Sequence, residues 1–144
     1  IAVASDDMET NTLEDLAGES VNAVVGSNYA EVLEEYDTDD QIGLEYVESM
    51  AVAVANIQSG KVKGYVNGYE ELTAQIKNRD LDLRMIDENF SEKPVGFPFK
   101  DTEENQQIIA DFNAALQTLS EDGTLAEISN AYFGLDITQS KEAE

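Results

Sequence analysis

The stretch 20–36, Ser-Val-Asn-Ala-Val-Val-Gly-Ser-Asn-Tyr-Ala-Glu-Val-Leu-Glu-Glu-Tyr, constrains this chain more than any other. Residues 21–25 read as a short buried strand. The spacing of Tyr29, Val32, Leu33 and Tyr36 predicts a helix directly after it. Between the two, Gly26 permits a sharp turn because it has no Cβ to restrict its backbone. Ser27 or Asn28 is placed to cap the helix through a side-chain oxygen. A strand that runs straight into a helix leaves free N–H groups and the positive end of the helix dipole at the edge of a sheet. Such an end favours a small anion, and a carboxylate fits. The same pattern also describes an ordinary strand-to-helix turn with a good cap.

The rest of the chain repeats the alternation. Residues 1–4 form a short apolar strand, and 12–18 read as one helical turn, capped by Thr12 with Asp15 three residues on and stopped by Gly18. Strands are expected at 42–47, 63–67 and 81–86. Residues 50–59 alternate like a strand, but Ser49 is a fair cap, Gly60 a fair terminator, and Met50, Ala53, Val54 and Ile57 share a helical face. That segment is assigned to a helix. Tyr69, Leu72 and Ile76 mark another helix, ending near Asn78. A strand at 95–99 has to be an edge strand or irregular, because Pro98 cannot donate to a ladder. Thr102 then caps a long helix with an apolar stripe of Ile108, Ile109, Phe112, Leu116 and Leu119. Asp122-Gly123-Thr124 breaks it, a shorter helix follows over 125–132, Gly134 ends that helix, and the tail beyond Ile137 is expected to fray. Strands alternating with helices predict an α/β fold with a mostly parallel sheet flanked by helices.

Composition narrows the function. With 31 acidic against 8 basic residues the net charge is −23, which argues against nucleic acid and anionic membrane surfaces as partners. Cysteine and histidine are both absent, which removes thiol chemistry, histidine-based triads and the usual zinc sites. Hydrophobic residues make up 42% of the 144, enough for a core in one domain or one lobe of something larger. Paired carboxylates at Glu34-Glu35, Asp39-Asp40 and Glu103-Glu104 raise glycosidase chemistry or calcium, but none has calcium-loop spacing, and such runs are usually solvated faces. No metal, cofactor or catalytic group is expected.

Five segments in register carry a family resemblance: Thr12-Leu-Glu-Asp-Leu-Ala-Gly, Val24-Val-Gly-Ser-Asn-Tyr, Ser59-Gly-Lys-Val, Val95-Gly-Phe-Pro-Phe, and Glu121-Asp-Gly-Thr-Leu-Ala-Glu-Ile with Tyr132-Phe-Gly. Together they resemble the polar amino-acid-binding proteins of ABC importers, the type II periplasmic or extracellular solute-binding proteins. Single motifs such as Asp-Gly-Thr are weak, but their shared order is specific. The resemblance covers the second lobe of that fold, two hinge strands around 1–5 and 95–100, and the C-terminal helices; the first lobe has no counterpart here. It implies two parts: 1–100 as an α/β ligand-binding lobe, and 101–144 as helices that pack on the missing lobe in relatives.

The resemblance also implies a site at the carboxyl ends of the strands. Gly26, Ser27 and Asn28 would hold a ligand carboxylate, with Tyr29 beside them, and Asn67, Gly68 and Tyr69 would form the second ligand-facing group. Relatives commonly carry Asp at the position of Gly68 to pair with the ligand's α-ammonium, and an acidic residue is usual where Lys63 stands. Either Glu70 or Glu71 compensates, or the ligand is not an ordinary α-amino acid. The implied partners are an amino acid or similar small carboxylate and a membrane permease, for an extracellular or periplasmic protein with a lipid anchor as an option in the full-length chain. An extracellular sensor domain and a dehydratase-like enzyme are the other classes open on this fold. The apolar stripes of the C-terminal helices, lacking a first lobe to cover them, must fold back on this lobe or find another copy, and a homodimer or a domain-swapped pair is expected.

Overall fold

The computed structural model describes residues 1–92 and 95–138. Except for Thr138, the tail expected to fray lies outside the described residues. The described chain divides into two compact units, Ile1–Ser91 and Glu92–Glu144.

The first unit is an α/β lobe. Its strands are β1 (Ala2–Ala4), β2 (Ser20–Val24), β3 (Gly43–Val47), β4 (Gly64–Tyr65) and β5 (Leu83–Met85), and its helices are α1 (Tyr29–Tyr36), α2 (Met50–Gln58) and α3 (Tyr69–Arg79). The strands form one open sheet in the order β3-β2-β4-β1-β5. β2 pairs in parallel with β3 and with β4, whereas β1 lies antiparallel between β4 and β5. Four of the five strands therefore point the same way, as the alternation of strand and helix predicts.

The sheet is buried on both faces, which is why its strands read as apolar runs. Val21 and Ala23 of β2 join Ala30 and Leu33 of α1, Leu16 and Ile42 in one cluster. On the other face Ala53, Val54 and Ile57 of α2 pack with Ala2, Tyr65 and Leu72. The three α2 residues lie three and four positions apart, so a helix can present them all to the sheet. That geometry decides the ambiguous segment 50–59 in favour of helix.

Asn22 is the polar exception in the middle of β2, fully buried on the α2 face. Its Oδ1 accepts from Asn56 Nδ2 at 2.8 Å, and its Nδ2 donates to the carbonyl of Glu45 at 3.2 Å. A buried amide left unpaired is costly, so these bonds favour one position of α2 on the sheet. The turn expected at 12–18 is a 3₁₀ turn over Glu14–Leu16. Asp15 Oδ2 accepts from the Thr12 N–H at 2.9 Å, and the Thr12 hydroxyl accepts from the Asp15 N–H at 3.3 Å. These reciprocal bonds seat Leu16, which is fully buried, in the core.

Asp7 ties the loop after β1 to the amino end of β4. Its carboxylate meets Lys63 Nζ at 2.8 Å, accepts from the Thr10 hydroxyl at 2.8 Å, and accepts from the N–H groups of Glu9 and Thr10, each at 3.1 Å. Arg84 of β5 donates to the carbonyls of Asp7 and Thr10 and closes the loop from the other side.

The second unit begins with the segment 95–101. The strand expected at 95–99 does not form. Pro98 has no N–H to contribute to a ladder, and Val95, at 98% exposure, packs against nothing that would hold it extended. Phe97 and Phe99 instead meet Phe112 edge-to-face at ring-centroid distances of 5.1 and 6.1 Å. Phe112 lies on α4 (Glu103–Glu121), which is capped by the Thr102 hydroxyl accepting from the Asn105 N–H at 3.3 Å. No residue of α4 is fully buried. Gly123, at φ +83°, turns the chain into α5 (Thr124–Phe133). Ser129 is buried there, its hydroxyl donating to the Leu135 carbonyl at 2.7 Å and accepting from the Ile137 N–H at 2.9 Å.

Burial by itself pushes the Asp7 carboxyl up. The hydrogen bonds from Lys63, Thr10 and Glu9 outweigh it and hold the carboxyl well below its ordinary value of 3.8. A carboxyl depressed in the folded state contributes stability above its unfolded value and loses it as pH falls through the folded one. Asp7→Ala should therefore lower stability at neutral pH by about 1.5–3 kcal/mol. The difference between variant and wild type should shrink as pH is taken below about 4. Urea unfolding at neutral pH and at acid pH checks both statements.

Candidate functional site

Two strand-to-helix turns stand side by side because β2 and β4 are parallel neighbours, with Val21 opposite Gly64 and Asn22 opposite Tyr65. The first runs from β2 through Val25, Gly26, Ser27 and Asn28 into α1. The Val25 N–H donates to the Val47 carbonyl at 2.9 Å, and the Ser27 N–H to the Val24 carbonyl at 3.1 Å, which folds the turn tightly. Gly26 sits at φ +79°, a conformation that L side chains avoid, so glycine is required here for its backbone.

The capping expected of Ser27 or Asn28 is not found. Asn28, at φ −81° and ψ −4°, already has a helical backbone and makes no side-chain cap bond. A capping side chain needs the extended backbone of a residue still outside the helix. The Ser27 hydroxyl oxygen is buried and has no hydrogen-bond partner among the described residues. The first N–H groups of α1 have no acceptors within the helix, and the positive end of its dipole lies at the same place.

The second turn runs from β4 through Asn67 and Gly68 into α3. Asn67 braces it: Nδ2 donates to the Tyr65 hydroxyl at 2.9 Å, and Oδ1 accepts from the Gly68 N–H at 2.8 Å. Tyr69 follows as the first residue of α3 and is half-buried. Gly68 itself has φ −59° and ψ 139°, which any residue can adopt. Space explains the glycine. A Cβ there would stand 2.6 Å from the Tyr29 hydroxyl oxygen, 3.2 Å from Tyr29 Cζ and 3.4 Å from Glu70 Oε2. The tip of Tyr29, from α1, thus lies against the bare Cα of Gly68, and the two turns meet through that contact.

The structure accordingly brings Tyr29, Gly68 and Glu70 together, with Gly26, Ser27 and Asn28 leading into the helix that carries Tyr29 and with Asn67 and Tyr69 flanking Gly68. Lys63 lies elsewhere, at the amino end of β4 in its pair with Asp7. Two concavities of about 690 and 460 Å³ also lie at the amino ends of the strands, the first acidic, around Glu19, Glu34 and Asp37, and the second of mixed charge, around Asp6, Glu19, Lys61 and Lys63. Neither touches the two turns. The Tyr65 phenol is pushed up first by burial and then by the charge of Glu71.

Several proteins similar to this chain in sequence are named as binding proteins. The chain is 36% identical over 138 residues to the probable amino-acid-binding protein YxeM of Bacillus subtilis, covering 96% of this chain and 52% of that protein. It is 31% identical over 127 residues to the putative amino-acid ABC transporter-binding protein PatH of Vibrio harveyi, covering 88% of this chain and 50% of the relative. Among solved structures, the probable amino-acid ABC transporter extracellular-binding protein ytmK from Bacillus subtilis superposes with a TM-score of 0.80 at 24% identity, over 92% of this chain and 58% of that one. No protein-family model matches. The chain spans about half the length of the curated relatives it matches.

The contact at Gly68 is directly testable. Gly68→Ala forces Tyr29 to move, and overpacking of this kind costs about 1–3 kcal/mol. Tyr29→Phe removes the closest atom, so the double variant should lose less than the sum of the two single changes, as thermal unfolding of all three proteins will measure. By its sequence relatives this chain is a homologue of amino-acid-binding proteins of ABC transporters over about half their length, and it shares the α/β fold of one solved example.

Proposed function

We propose that this chain forms the second lobe of an amino-acid capture protein and presents the two turns at the carboxyl ends of β2 and β4 to the ligand. One observation carries the reading: the Ser27 hydroxyl oxygen is buried without a partner beside the N-terminus of α1. A buried hydroxyl with no partner costs free energy unless a ligand completes it, and a helix N-terminus supplies N–H groups for an anion. A ligand carboxylate meets both requirements. Gly26, Ser27 and Asn28 hold it, with Tyr29, Asn67, Gly68 and Tyr69 around the rest of a polar amino acid.

The lobe binds and does not catalyse, in keeping with relatives that are named as binding proteins. The full-length protein works outside the cytoplasmic membrane, free or lipid-anchored, and hands its ligand to the permease of an ABC transporter. In the isolated chain a second copy covers the apolar stripe of α4, where Ile108 is 48% and Leu119 36% exposed. Sedimentation in physiological salt should then show a dimer, and a Phe112→Glu variant a monomer.

Calorimetry of the full-length protein against the common L-amino acids and L-cystine tests the ligand site. Wild type should bind one or more of them, and Ser27→Ala should weaken that binding about tenfold, since one hydrogen bond to a charged group is lost. The isolated chain should bind far more weakly, because much of the ligand's surface stays in water. Full affinity in Ser27→Ala would reject the carboxylate assignment.

A further inference from the structure

An amino acid brings a cation as well as an anion, and a cation enclosed in a cleft needs a counter-charge. The anion end is taken by α1 in the reading above, on which this inference rests. Near Gly68 the backbone offers no carboxylate of its own. Two oxygens converge there from different elements: the Tyr29 hydroxyl from α1 and Glu70 Oε2 from the first turn of α3, 2.6 and 3.4 Å from the point where a Cβ of residue 68 would stand. Neither oxygen has a hydrogen-bond or ion-pair partner among the described residues. Glu70 is solvent-exposed at the second position of α3, where a negative side chain is favoured by the helix dipole. Its neighbour Glu71 is not among the atoms nearest to that point.

The geometry points to Glu70 as the residue that selects ligands with an α-ammonium, with the Tyr29 hydroxyl as the second acceptor. Gly68 is the condition for both. Any side chain there would push Tyr29 out and occupy the space into which Glu70 reaches. The carboxylate is thus delivered from the helix, two residues beyond Gly68, and Tyr29 replaces bulk at position 68 with an oxygen that can accept a hydrogen bond from the ligand.

The test uses the full-length protein, the tightest binder among L-glutamine, L-asparagine, L-arginine and L-cystine, and the analogue of that compound with hydrogen in place of the α-ammonium. Wild type should prefer the amino acid strongly. Glu70→Gln should reduce the preference by about tenfold, the scale of one lost hydrogen bond to a charged group. Tyr29→Phe should reduce it by a smaller factor, and Glu71→Gln should leave it unchanged. Thermal unfolding of each variant shows that it is folded. Ser27→Ala should weaken both compounds alike, which separates the anion end from the cation end. Unchanged preference in Glu70→Gln, with Ser27→Ala still weakened, overturns the role of Glu70 alone. If wild type binds none of the four amino acids, the ligand site itself is wrong and this inference goes with it.

Discussion

The parallel pairing of β2 with β3 on one side and β4 on the other is the constraint on which the lobe depends. Parallel neighbours end at the same edge of a sheet, so the turns that follow β2 and β4 are adjacent without any contact having to be specified between them. The pairing needs β2 to be apolar on both faces, and Val21 and Ala23 on one face are fully buried. On the other face Asn22 interrupts the apolar run but recovers its hydrogen bonds from Asn56 and from the carbonyl of Glu45. The amide thus acts as a register mark. A slip of α2 along the sheet would break the Asn56–Asn22 bond and leave the buried Asn22 Oδ1 without its partner.

β1 plays a different part. It enters antiparallel between β4 and β5, pairing Ala2 with both Tyr65 and Met85. The connection from β4 through α3 to β5 therefore passes over a strand from the opposite end of the lobe's sequence. The Asp7 cluster holds the loop that follows β1, and Arg84 in β5 closes it. In a chain with 31 acidic and 8 basic residues, cations are scarce. It is physically consistent that Lys63 and Arg84 stand where backbone and carboxylate oxygens crowd together at partly buried positions, while most acidic side chains remain in water, where they cost little.

The two ends of the strands differ in kind. At the amino ends one concavity is acidic and the other of mixed charge, and the polar groups of the Asp7 cluster are satisfied by one another. At the carboxyl ends the Ser27 hydroxyl, the open end of α1 and the oxygens of Tyr29 and Glu70 have no partners of their own. Three buried hydroxyls lack partners among the described residues, those of Ser27, Thr73 and Ser91, and Ser27 is the one in the turn that leads into α1, where the proposed ligand would complete it.

Local pattern determined much of this by itself. The spacing of Ala53, Val54 and Ile57, the turn glycine at 26, the Thr12–Asp15 reciprocal cap and the Thr102 cap all rest on neighbours within a few residues, so they are legible in the sequence and appear in the structure. So are the order of strands and helices and the family to which the motifs point. Tertiary structure alone decided the rest. Nothing local shows that Ser27 and Asn28 leave the first turn of α1 uncapped, because capping depends on the backbone angles the turn imposes on Asn28. Pro98 marks 95–99 as irregular, but only the packing of Phe97 and Phe99 on Phe112 shows what replaces a strand. Gly68 looks like a flexible turn residue until Tyr29, 39 positions earlier, is seen to occupy the place of its side chain. The choice between Glu70 and Glu71 is likewise invisible in sequence: adjacent residues on a helix point about 100° apart, and only the direction in which α3 leaves the turn decides which one reaches Gly68.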